Sequence, residues 1–208
     1  MDAFALRSHQ RAAAAEDSGI AARSIVPVAV PTADGERIVA RDEGLRRDSS
    51  LEGLAALKPA FEEEAMAARF PQIRWGVTAG NTSQITDGAA AILVMEEGLA
   101  MRMGLKPRAA ITHCAVAGDD PLYVLAAILP ATRKVLARAN LPIEAVDCFE
   151  VNEAFASVVL AWQKELSVPE NRLNIFGGAI ALGHPVGASG GRLLANLLAA
   201  LEQGGGRY

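Results

Sequence analysis

The residues of this chain best suited to chemistry gather in a glycine-dense stretch, GGAIALGHPVGASG, Gly177 to Gly190, with His184 at its centre. An imidazole fixed between Gly183 and Pro185 stands on a rigid pedestal, which suits a general base or an oxyanion donor. The bland reading is a histidine satisfied by backbone groups in a turn. Free N–H groups of such a turn, at the start of a helix, can hold an anion or a developing oxyanion. The same small residues equally serve close packing in a tight turn.

Known glycine motifs narrow this further. The dinucleotide pattern G-x-G-x-x-G has no match, and Gly178 to Gly183 meets the spacing of a phosphate loop only until His184-Pro185 replaces its Lys-Ser/Thr. GASGG, Gly187 to Gly191, fits the nucleophile elbow G-x-S-x-G of a serine hydrolase with Ser189 as nucleophile, but no histidine follows Ser189 in the chain. A second polar pair, Asn152-Glu153, reads either as an ordinary helix cap with an acidic first turn or as a site group. In the latter case Asn152, released at the C-terminal edge of a strand, shares that edge with His184 if their strands are parallel.

The elements that must position these groups alternate. A helix is expected over Asp2 to Glu16, and a hairpin from Ile25 to Val30 and Arg37 to Ala40 around Asp34-Gly35. Ser49 and Glu52 form a capping box for a short helix from Ser50 to Leu57. Strands are expected at Ala90 to Met95, Ala109 to Ala117, Cys148 to Val151 and Gly178 to Leu182. Helices are expected over Gly98 to Met103, Leu122 to Ala139 with an interruption at Pro130, Ala154 to Leu166 and Ala188 to Glu202. This order implies a layered α/β fold.

With 51% hydrophobic and 21% charged residues the chain can close a sizeable core. A net charge of −4 offers no basic stripe, which argues against a nucleic-acid partner. No apolar run approaches the roughly 18 residues of a membrane span, and Met1-Asp2-Ala3-Phe4 lacks the cationic start of a signal peptide, so no membrane association and a cytoplasmic location are expected. Cys114 and Cys148 lie far apart with no metal-ligand spacing; they read as packed thiols, and no metal site is expected.

TAGNTSQITDGAA at Thr78 to Ala90, NEAF at Asn152 to Phe155 and GGAIALGHPVGASG resemble, in order and spacing, the thiolase family across nearly the whole chain. Ser83-Gln84 and NEAFASVVLAWQKEL are most similar to the degradative 3-ketoacyl-CoA thiolases, the acetyl-CoA C-acyltransferases of lipid or steroid catabolism. The resemblance implies the layered thiolase fold, with residues 1–82 as part of the loop domain, 83–107 as the end of the N-terminal domain and 108–208 as the C-terminal domain. It also implies catalytic roles for His184, which activates a nucleophilic cysteine and helps form the oxyanion hole, and for Asn152, which holds a water completing that hole. Ser83 matches a position contacting the pantetheine arm of coenzyme A, which enters as a substrate with acyl-CoA; no permanently bound cofactor is implied. A homo-oligomer is expected once the family's other half is present.

The chain departs from the family where it matters most. The family's nucleophilic cysteine belongs to an N-terminal half that has no counterpart here, and its second catalytic cysteine belongs to a C-x-G motif expected beyond Tyr208. Asn174-Ile175-Phe176 and Ala126 to Pro130 also differ from the usual pattern, with an altered acyl pocket as the expected consequence. Three readings stand at this point: an acyltransferase chain inactive alone, a serine hydrolase using Ser189, and a non-catalytic relative that binds acyl-CoA or a partner.

Overall fold

A computed structural model describes residues 1–208. Helix α1 (Asp2–Asp17) buries Phe4, Ala5, Ser8, His9, Ala12 and Ala15, a stripe at the three-to-four spacing of one helix face. Strands β1 (Val28–Thr32) and β2 (Gly35–Val39) pair antiparallel with Val30 opposite Arg37. Gly35 takes φ +127° in the turn between them, a conformation that only glycine adopts cheaply. This hairpin is the expected one, shifted by a few residues.

Short helices follow: α2 (Leu51–Ala55), α3 (Glu64–Arg69) and α4 (Glu97–Arg102). The expected capping box is displaced by one residue. Ser50, not Ser49, is the cap, its Oγ accepting from Gly53 N at 3.0 Å, while Ser49 Oγ donates to Arg46 O.

Helices α5 (Ile128–Ala139), α6 (Ala156–Leu166), α7 (Ala179–Leu182) and α8 (Ser189–Gly204) complete the chain. Pro130 does not interrupt α5. It falls in the first turn, where a missing N–H costs nothing, and Val124–Ala127 before it form a 3-10 turn. Asp120 begins no helix; its carboxylate accepts from Leu122 N at 2.8 Å within a turn.

Three segments expected as strands do not form ladders. Ala90 to Met95 and Ala109 to Ala117 make no backbone hydrogen bond to any other segment. A strand exists only through a partner, and no other segment of these 208 residues pairs with them. Gly178 to Leu182 instead contains α7, a single turn whose periodicity four residues cannot reveal. Cys148 to Val151 is extended, with one parallel bridge from Phe149 to Leu173.

The main core joins α1, α2, α6 and α7 through Phe4, Leu54, Val159, Trp162, Leu173 and Ile180. A smaller one sets Ala15 and Phe176 against Ala199 and Ala200 of α8. The chain nonetheless exposes 13363 Å², where a compact monomer of this length exposes about 9,300 Å². Large apolar side chains are exposed along one stretch of the sequence, among them Ile85, Leu93, Val94, Ile111, Val116, Leu122 and Val124. An exposed apolar surface of this extent marks a face that normally lies against protein.

Trp162 is 2% exposed, packs edge-on against Phe149 at 5.3 Å and donates its indole N–H to Thr132 Oγ1 at 2.9 Å. Trp162→Ala is expected to lower unfolding free energy by about 3–5 kcal/mol, read as a shift of the urea midpoint at unchanged slope.

Candidate active site

The site is assembled around the extended segment that ends at Val151. Phe149 N donates to Arg172 O at 2.7 Å and Phe149 O accepts from Asn174 N at 2.9 Å. The Asn174 side chain then takes over from the backbone: Oδ1 accepts from Val151 N and Nδ2 donates to Val151 O, both at 2.8 Å. Asn174 therefore braces the approach to Asn152, and its φ of +46° marks the turn it makes to do so.

Glu153, 1% exposed, turns inward. It accepts from Ser8 Oγ of α1 at 2.6 Å, Asn174 Nδ2 at 3.0 Å and Ile180 N of α7 at 3.2 Å. Burial pushes its carboxyl above the usual range, and these three donors pull it back. The Ile180 bond places an acceptor at the start of α7 and explains why those residues coil instead of extending. The helix-cap reading of Asn152-Glu153 is thus corrected, because α6 starts later, at Ala156, and its first N–H donates to Asn81 O.

After α7 the chain turns through Gly183 at φ +88°, where an added Cβ would lie 2.4 Å from Thr86 Oγ1. His184 follows, half-buried, its backbone N–H donating to Gln84 O at 2.9 Å. Gln84 Nε2 in turn donates to Gly44 O and Ile180 O, both at 2.8 Å. This one residue ties the 44 loop, α7 and the histidine turn together.

Around the ring, Nε2 lies 3.3 Å from Asn152 Nδ2 and Nδ1 lies 2.6 Å from Ser189 Oγ. Ser189 Oγ also lies 3.1 Å from Pro185 O, which can only accept; with the hydroxyl proton directed there, Ser189 accepts from His184 Nδ1–H, and that tautomer is the one we assign. The bare lone pair is then on Nε2, beside Asn152. His184 and Asn152 do converge, although through α7 and not through two parallel strands.

Ser83 is placed less directly. Its N–H donates to Ala154 O at 3.0 Å, two residues past Asn152, and its neighbour Gln84 holds His184. A cleft of about 210 Å³ is lined by His9, Arg46, Ser50, Gln84 and Ile180 among others; Gln84 links it to His184, and none of Ser83, His184 and Asn152 lines it. A larger cleft beside β2 shares no residue with His184 or Asn152.

Ser189 is ill placed as a nucleophile. It is 5% exposed, and the ring nitrogen away from it faces an amide, not the carboxylate that orients histidine in a serine triad. Cys114 is exposed and Cys148 half-buried; burial raises the Cys148 thiol, which works against thiolate formation. Neither hydrogen-bonds to His184 or Asn152. No group of three or more His, Cys, Asp or Glu gathers as a metal site, and no helix is long and apolar enough to cross a membrane.

The sequence reading passed over Glu153 as a hub, Gln84 as a clamp and Arg192, whose Nη2 reaches Asn152 Oδ1. Arg192 sits three residues past Ser189 on the inward face of α8, a spacing visible in the sequence. Asn174 and Phe176, expected to alter an acyl pocket, are instead a backbone brace and a core residue.

Sequence models of two families match: "Thiolase, N-terminal domain" over residues 1–98 and "Thiolase, C-terminal domain" over residues 105–208. An acetyl-CoA acetyltransferase of Chromobacterium violaceum is 44% identical over 207 residues, covering 99% of this chain and 50% of that protein. A beta-ketoadipyl-CoA thiolase of Pseudomonas aeruginosa is 45% identical over 208 residues, covering 99% of this chain and 49% of that protein. Among solved structures, the Bacillus anthracis acetyl-CoA acetyltransferase superposes with TM-score 0.90 at 38% identity, over 99% of this chain and 50% of that one. Human mitochondrial 3-ketoacyl-CoA thiolase gives 0.87 at 36% identity, over 99% and 49%. The expected thiolase-like α/β fold is borne out, and the chain spans about half the length of the relatives it matches.

Two measurements probe this site. A fluorophosphonate probe is expected to leave Ser189 unlabelled, and labelling there would restore the hydrolase reading. Burial pushes the Glu150 carboxyl from 4.5 up to about 8 against the pull of Arg192. The folded chain therefore holds a proton that the unfolded chain has released, so this group makes stability fall as pH rises from 4.5 to about 8 and level off above. Glu150→Gln is expected to flatten that decline, by up to about 1.4 kcal/mol per pH unit, in urea midpoints measured between pH 5 and pH 8; Glu153, also raised, keeps part of the slope.

Proposed function

The chain belongs to the thiolase family, and on that premise we propose that it carries the base and oxyanion elements of a 3-ketoacyl-CoA thiolase, an acetyl-CoA C-acyltransferase. The observation that carries this reading is the convergence of His184 Nε2 and Asn152 Nδ2 at 3.3 Å.

In the proposed reaction a cysteine thiol gives its proton to His184 Nε2, and its sulfur attacks the 3-keto carbonyl of the substrate. The C2–C3 bond breaks, and its electron pair passes to the released acetyl-CoA fragment as a thioester enolate. The newly formed Nε2–H and a water held by Asn152 donate to that oxygen, where charge develops. The enolate carbon takes up a proton in place of the one the thiol gave up and leaves as acetyl-CoA. The coenzyme A sulfur then attacks the acyl-cysteine carbonyl, the C–S bond to cysteine breaks and the CoA thiol proton returns to the cysteine, which divides one difficult step into two. Ser83, next in sequence to Gln84 of the 210 Å³ cleft, is assigned to the pantetheine arm of the substrate.

Cys114 and Cys148 are assigned no part in this chemistry, so the nucleophile comes from polypeptide outside these 208 residues. The exposed apolar stretch from Ile85 to Val124 supports that division and a homo-oligomer of the completed enzyme. Residues 1–82, 83–107 and 108–208 are read as loop-domain, N-terminal-domain and C-terminal-domain portions. A cytoplasmic role in lipid or steroid breakdown, on acyl-CoA and CoA, completes the proposal.

Thiolysis of a 3-ketoacyl-CoA is assayed with the chain alone and with a cysteine-bearing thiolase N-terminal half. Turnover is expected only in the second case, and His184→Ala is expected to reduce it by about 10²- to 10³-fold. Robust turnover by the chain alone that survives Cys114→Ala and Cys148→Ala, or calorimetry showing no CoA binding, would overturn the reading.

A further inference from the structure

Arg192 reaches the site from α8, and no step of the proposed reaction uses it. Of its three guanidinium nitrogens only Nη2 has a protein partner, Asn152 Oδ1 at 3.5 Å; Nε and Nη1 are shut away from solvent without one. Its charge sits among Glu150, Glu153 and Asp42, which oppose the cost of its burial. A cation so placed is held for what its one engaged nitrogen does.

An asparagine amide has a donor end and an acceptor end of nearly equal shape, and the role of Asn152 depends on which end faces His184. Rotated by half a turn, it would set Oδ1 against the Nε2 lone pair, which is repulsive, or force the ring proton onto Nε2. A guanidinium only donates. On the far edge of the amide it can therefore accept only one orientation, with Oδ1 toward itself and Nδ2 toward the histidine.

The hydrogen bonds then run one way: Arg192 Nη2 to Asn152 Oδ1, Asn152 Nδ2 to His184 Nε2, His184 Nδ1 to Ser189 Oγ, and Ser189 Oγ to Pro185 O. We propose that Arg192 is a positioning residue that fixes the orientation of the Asn152 amide and, through it, keeps His184 in the tautomer with a bare Nε2. The importance of that tautomer rests on the acyltransferase reading; the geometry itself does not.

The test is nitrogen NMR on the full 208-residue chain labelled with nitrogen-15, with His184 told apart from His9 and His113 by single substitutions. The unsubstituted chain is expected to show a neutral His184 ring protonated at Nδ1, and an Asn152 side-chain amide in slowed exchange with solvent. Arg192→Met keeps the apolar stem and removes every donor. It is expected to give a mixture of tautomers and amide exchange faster by roughly fivefold or more, as for loss of one hydrogen bond. Arg192→Lys, still a pure donor, is expected to recover the single tautomer at least in part. Should the methionine variant fail to fold, Arg192→Gln, which adds an acceptor, carries the same expectation of mixed tautomers.

A folded Arg192→Met chain with unchanged ring-nitrogen shifts and unchanged Asn152 exchange overturns the proposal. These signals report geometry whether or not a thioester is turned over, so this inference and the acyltransferase reading can fail separately.

Discussion

A buried carboxylate holds this half of the molecule in register. Glu153 lies inside three elements at once, accepting from the Ser8 hydroxyl of α1, the Asn174 amide and the Ile180 N–H that opens α7. Leaving such a group buried and unbonded costs several kcal/mol. Only an arrangement that brings all three donors together avoids that cost. The residue before Glu153 is Asn152, and α7 leads through Gly183 to His184. The separation of the two site residues is therefore set by an acid whose side chain hydrogen-bonds to neither. Gly178 shows how tight the arrangement is: a Cβ there would lie 2.3 Å from Glu153 Cδ.

Much of this was legible in the residues. His184 between glycine and proline, and Asn152 at the end of an extended segment, were identifiable from type and spacing, and the helices α1, α4, α6 and α8 from their apolar periodicity and flanking turns. What escaped is non-local. Nothing in AIAL announces a helix, because the acceptor that starts the turn belongs to a residue 27 positions earlier in the chain. Asn174 looked like a pocket variation because its partner, the Val151 backbone, lies 23 residues away. Ser189 matched a nucleophile motif because the pattern records neighbours along the chain and not the direction of a hydrogen bond.

The absent ladders have a related cause. Helical hydrogen bonds close within four residues, so a helix forms wherever its own segment and one packing face allow. Strand bonds must be supplied by another segment, and the Ala90 to Met95 and Ala109 to Ala117 runs find none here. Their apolar side chains remain exposed, and with them much of the surface beyond that of a compact monomer. The Ala109 to Ala117 run is bonded to α5 through its carbonyls, from Lys134 to Val116 O and from Arg138 to Cys114 O. Such exposed contacts contribute little stability, so this face is the loosest part of the fold.

The histidine site does not share that looseness, and the reason lies in where its hydrogen bonds end. The run from Arg192 through Asn152, His184 and Ser189 terminates at Pro185 O, a carbonyl inside the same turn that carries the histidine. Both ends of the run are anchored between residues 152 and 192, on α8 and on the bracket around Glu153. Gln84 joins it to the earlier part of the chain through a backbone carbonyl, and Thr86 packs against Gly183 beside it. The ring held in this way makes no hydrogen bond to the exposed apolar stretch. The exposed stretch and the histidine site are thus distinct demands on the sequence: one leaves apolar side chains exposed, the other fixes how the His184 ring is held.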